Sequence, residues 1–175
     1  MSFAIGLLIV GWAAMMFTTA LRSQPGLNAR DDAITQGRVA MERLVRELRQ
    51  GEALETSGGD SWTTQALSFR TFAHSANCAD PTRACVRRVT YTCTAGACTR
   101  VEANPTTGVQ GSPVRMVSGL ASSAVFDYRS DPSTECSAPP DVPNEGVSIR
   151  DEATLRNSGP TSPSRVCVSL VFPRH

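Results

Sequence analysis

The chain has 175 residues, the length of one domain or one domain with an appendage. Its 17 basic residues, all Arg, against 16 acidic ones leave a formal net charge of +1, which excludes an ordinary basic nucleic-acid binder and an acidic tail protein. Hydrophobic residues make up 41%, enough for a core and too many for a disordered chain.

The first element is apolar all round. Residues 3–21 read FAIGLLIVGWAAMMFTTAL, without charge and with Thr18 and Thr19 as the polar residues. As a helix they would span roughly 28 Å, close to the ~30 Å hydrocarbon thickness of a bilayer. A cleaved secretory signal fits less well, because Met1-Ser2 is not basic and Thr18-Thr19-Ala20 is a weak cleavage site. A single membrane span is therefore expected. Arg22 and Arg30 follow it, which alone would place the body in the cytoplasm; the cysteines below argue for the opposite side.

Pro25 predicts a kink or a new start. Beyond it Leu27, Ile34, Met41, Leu44, Val45 and Leu48 form one stripe at helical spacing, with Arg38, Glu42, Arg43, Arg46, Glu47 and Arg49 on other faces. Glu42 stands four residues before Arg46, an orientation that supports a helix. The pattern stops at Gln50-Gly51. Residues 3–50 are thus expected to form one long helix of roughly 70 Å, apolar in its first half and amphipathic in its second.

Behind the helix the period changes to two. Strands are predicted over 66–72, 86–92, 98–102, 124–129 and 166–172, with a hairpin turn at 94–97. Stretches 130–143 and 157–164, rich in Pro, Ser, Asp and Asn, read as loops. One long helix followed by hairpin-linked strands is an α+β plan, a long N-terminal helix packed on a small antiparallel body. The division is 1–50 for the helix and 51–175 for the β-rich body.

Six cysteines, Cys78, Cys85, Cys93, Cys98, Cys136 and Cys167, suggest disulfides in an oxidising compartment. Zinc would want tight pairs and histidines at ligand spacing, but the histidines are His74 and His175 alone. Fifteen pairings are open. Local pairing gives Cys78–Cys85, Cys93–Cys98 and Cys136–Cys167, whereas a one-residue register slip would send Cys85 or Cys93 elsewhere.

Enzyme motifs are lacking: there is no G-x-S-x-G elbow, phosphate-binding Gly loop or H-E-x-x-H. Residues 57–61, SGGDS, read as a flexible loop, and His74 as a solvated residue. Asp127, Asp131, Glu135, Asp141 and Glu145 are spread over a loop with no EF-hand spacing. No catalytic, cofactor or metal residue is expected.

The layout resembles a type IV pilin-like protein, in particular the J-type minor pseudopilins of type II secretion and the W-type minor pilins. Arg38, Met41, Leu44, Arg46, Glu47, Leu48 and Arg49 match the R-x-x-M-x-x-L-x-R-E-L-R-like close of that helix. Val89-Thr90-Tyr91 followed by Cys98-Thr99-Arg100 is similar to a Y-x-L…L-x-R hairpin. Val125-Phe126-Asp127-Tyr128 resembles an F-x-Y strand, and residues 166–172 a closing V-x-V-x-L strand. The family's basic leader, Gly-Phe cleavage site and early Glu are not seen, so either translation starts upstream of Met1, which is the expectation, or this copy has lost processing.

The resemblance implies a non-catalytic minor pilin or pseudopilin subunit that assembles through its apolar helix. Its partners would be other pilin-like subunits and, before assembly, the inner membrane, with neither nucleic acid nor a small-molecule substrate. The body would lie outside the cytoplasm and end in an extracellular or periplasmic filament. The alternative is an extracytoplasmic binding domain held by a single-span anchor.

Overall fold

Alternating stretches behind residue 65 pair into two antiparallel sheets in the computed structural model of the protein. The structure describes residues 12, 15–16, 18, 31–52, 54–55, 63–73, 78–80, 82–131, 133–136, 146–155 and 163–173.

Helix α1 covers residues 31–50 and ends where Gly51 N–H donates to the Leu48 carbonyl at 3.0 Å. Gly51 also permits close approach: a Cβ there would lie 3.0 Å from the Phe69 ring. Strands β1 (Ala66–Ala73), β2 (Cys85–Thr94), β3 (Gly96–Ala103) and β4 (Val114–Leu120) form one sheet in that order. Strands β5 (Phe126–Arg129), β6 (Val147–Thr154) and β7 (Arg165–Phe172) form the second, ordered β5-β7-β6. Gly96, at φ +109°, makes the tight β2–β3 turn, a backbone state that other residues rarely adopt.

The inner faces of both sheets close on α1. Ala40, Met41, Leu44, Val45 and Leu48 are buried along one helix stripe. They meet Leu67, Phe69, Val89 and Val117 of the first sheet and Phe126, Val168, Leu170 and Phe172 of the second in one hydrophobic cluster. The sheets are tied directly as well. Thr64 carbonyl accepts from Val125 and Phe126 N–H at 2.8 and 2.9 Å, and Ala121 N–H donates to Val171 carbonyl at 2.8 Å. After α1 the chain covers the free edge of β1, with Glu52 and Glu55 N–H donating to Arg70 and Ser68 carbonyls.

Several expectations need correction. The long helix is replaced, among the described residues, by the 20-residue α1, and the body holds two sheets where one was expected. No helix of the described residues is long and apolar enough to cross a membrane. The reason is visible in α1: Asp31, Asp32, Arg38, Glu42, Arg43, Arg46 and Arg49 charge its exposed faces, and Glu47 carries a further charge towards the sheet. Most of the expected span 3–21 lies outside the described residues, of which Trp12, Met15, Met16 and Thr18 are helical. The single-pass anchor, the inner-membrane placement, the transmembrane-helix term and the localisation built on them are therefore withdrawn, and the two-sheet fold by itself identifies no pilus or secretion machine. The disulfides still indicate an oxidising compartment.

Candidate functional site: an ionic junction between helix and sheet

The inward face of β2 and β3 alternates apolar residues with Tyr91 and Arg100, which face each other in register. Both look at α1, where Glu47 stands one residue before the buried Leu48. Tyr91 Oη donates to Glu47 Oε2 at 2.8 Å, and Arg100 Nε donates to the same oxygen at 3.0 Å. Arg43 Nε donates to the other oxygen, Oε1, at 3.1 Å, and Arg100 also pairs with Glu102. The Tyr91 ring stacks on Phe69 with centroids 6.2 Å apart.

The Arg100 side chain is only 4% exposed, so this charge is retained inside the protein because two carboxylates meet it. Burial works against its charge, but the hydrogen bond and charge of Glu47 outweigh that and hold its pKa above the ordinary arginine value. Burial, reinforced by the Glu47 carboxylate, pushes the Tyr91 hydroxyl well above the usual phenol range. Three donors of the protein itself hold the Glu47 carboxylate. What the arrangement does is lock the helix to the sheet at one register.

The structure joins Cys78 to Cys85, Cys93 to Cys98 and Cys136 to Cys167, with Cα atoms 5.8, 4.1 and 5.7 Å apart. Cys93 and Cys98 oppose each other in the β2–β3 ladder, both on the inward face. Cys136–Cys167 instead lies on the outer face of the second sheet. There it borders a cavity of about 680 Å³ with Asp127, Arg129, Arg150, Glu152 and Ser169. Two ion pairs bracket that cavity: Arg129–Asp127 at 2.5 Å and Arg165–Glu152 at 3.1 Å. Its charges of both signs largely neutralise one another, so it favours no one class of ion.

The dispersed carboxylates do not converge. Asp127 pairs with Arg129, while Asp131 accepts from Ser133 N–H and Oγ–H, which hold its carboxyl below the usual range. Asp141, Glu145, His74 and residues 57–61 lie outside the described residues, among which no three His, Cys, Asp or Glu gather as a metal site. The matched helix residues divide by role. Met41, Leu44 and Leu48 are core, and Arg38 and Arg46 are exposed. Arg49 reaches the Glu152 carbonyl at 3.1 Å. The junction formed by Glu47, Tyr91 and Arg100 was not named as a site from the sequence. Its signal was there: Tyr91 and Arg100 fall at inward parity among apolar neighbours, where an arginine requires a counter-charge.

Helix and junction together define a disulfide-stapled domain in which one amphipathic helix is locked across two antiparallel sheets. No known protein family, no curated protein and no solved structure matches the chain.

Proposed function

We propose that the protein is a non-catalytic structural subunit that assembles with other pilin-like subunits, as a minor pilin or pseudopilin. The observation that carries this reading is the ionic junction. Glu47 from the helix stretch and Arg100 and Tyr91 from the hairpin, all residues of the pilin-like resemblance, meet in one hydrogen-bonded network. A subunit that transmits load through packed helices needs such a lock between helix and body. The outward face of α1 adds support, with Val39 64% exposed between Arg38 and Glu42. Exposed helical Trp12, Met15 and Met16 offer further apolar surface for neighbouring helices.

The test is site-specific photo-crosslinking from Val39 in the native cell, with adducts identified by mass spectrometry. Adducts to short chains with pilin-like helices are expected. Adducts confined to unrelated proteins, or their complete absence while the labelled chain is present and folded, would overturn the reading.

A further inference from the structure

In β2, Arg87, Val89 and Tyr91 share the inward face, and Arg87 is 1% exposed, less than Arg100. The two arginines differ in one respect. Arg100 has two carboxylates within bonding distance, whereas Arg87 forms no ion pair with a described residue, and its Nε is buried without a partner. A guanidinium cannot shed its proton to escape this, so a buried and uncompensated one is among the costliest groups a fold can retain. Directly across the ladder sits Thr71, whose hydroxyl is likewise buried and unpartnered. Two orphaned donors thus stand side by side on the same strand pair.

Arg87 lines a cavity of about 260 Å³ with Asn104, Thr107, Val109, Gln110 and Gly111. The rest of the lining comes from the β3–β4 loop, which is held by its own hydrogen bonds. Asn104 Oδ1 accepts from Thr106 and Thr107 N–H at 2.9 and 3.1 Å, Asn104 N–H donates to Val109 carbonyl at 2.8 Å, and Gly111 N–H donates to Glu102 carbonyl at 2.7 Å. Gly108, at φ +72°, supplies the left-handed residue this turn requires. This loop is therefore set before any ligand arrives.

We propose that this cavity is a carboxylate-binding site with Arg87 as its cation. A planar fork of N–H donors matches a carboxylate in two parallel bonds. One buried positive charge balances one negative charge, which favours a carboxylate over a phosphate dianion. The room suits a small organic acid or the end of an aspartate or glutamate side chain, and the site stands independently of the filament reading.

The oxidised full-length chain is titrated at fixed ionic strength with sodium acetate, with N-acetyl-glutamate amide as a side-chain mimic, and with sodium phosphate, each against chloride. Acetate or the blocked glutamate should raise the melting temperature with saturation and move the Arg87 Nε–H resonance. Tighter binding of acetate assigns a free acid, and tighter binding of the blocked glutamate assigns a protein side chain. Arg87→Met should abolish the rise. Should that variant fail to fold, the wild-type resonance decides alone. An unmoved resonance with either carboxylate, an equal response in Arg87→Met, or phosphate binding tighter than both would overturn the assignment.

Discussion

Arg100 Nε donates to Glu47 Oε2 at 3.0 Å, joining β3 to α1 across 53 residues of sequence. Since Arg100 is buried, removal of Glu47 leaves its charge met by Glu102 alone. Glu47→Ala is expected to cost about 3 kcal/mol, the lower end for a broken buried pair because Glu102 remains. The double variant Glu47→Leu/Arg100→Met should cost less than the sum of its singles, with a coupling of about 1–3 kcal/mol. Urea unfolding of all four forms measures it.

Of the chain's two tyrosines Tyr91 is buried and Tyr128 half-buried, and desolvation pushes both hydroxyls up, Tyr91 with help from Glu47 and Tyr128 without it. Tyr128 Oη donates to the Ala66 carbonyl at 2.8 Å. An unfolded tyrosine ionises near pH ~10, the folded ones higher. The neutral form is thus favoured in the fold, so this stability is complete below about pH 10 and is lost as pH rises above it. Near-ultraviolet phenolate absorbance should stay low through pH ~10 in the folded protein and rise together with unfolding. Two independent, early titrations would contradict this.

Gly37 sits against β7, where a Cβ would lie 2.6 Å from Phe172 Cζ. Helix propensity alone makes Gly37→Ala favourable by about 1 kcal/mol. The Phe172 ring is 1% exposed and has little room to yield, and overpacking of this kind costs about 1–3 kcal/mol. The variant should therefore have a lower denaturant midpoint than wild type in spite of its better helix former.

Cys136–Cys167 closes a loop of sequence separation 31. On the loop-entropy account, the paired substitution to Ser should cost about 3–4 kcal/mol. Cys93–Cys98, with a separation of 5 and its residues already opposed in a hairpin, should cost less. Thermal unfolding of the two double variants ranks them.

How legible each strand was depended on its local pattern more than on its place in the sheet, since the edge strands β1 and β5 were expected and the edge strands β4 and β6 were not. Central β7, Arg-Val-Cys-Val-Ser-Leu-Val-Phe, has neighbours on both edges and reads as an apolar run. Edge strands β4 and β6 went unseen. Val147–Thr154 carries Arg150, Asp151 and Glu152, and Val114–Leu120 carries Arg115 and Gly119, so neither alternates cleanly. The amphipathic stripe of α1 was plain because its period is local. That the strands divide into two sheets was not, since it depends on contacts such as Thr64 with Val125, far apart in sequence. Arg87 was readable in principle: it shares parity with Val89 and Tyr91, and only its lack of a counter-charge needed coordinates.

The two sheets share few backbone bonds, yet Met41 and Leu44 sit among Tyr91, Cys98, Val117, Val125, Val168 and Leu170 from both. With α1 removed, each sheet would turn an apolar face to water. Neither can open while the other stays closed without exposing that shared surface. Amide protons at the centres of β2 and β7 should then exchange with solvent through the same global event, at a common free energy set by whole-molecule unfolding. A β7 that exchanged well before β2 would mean the molecule opens in two separate steps.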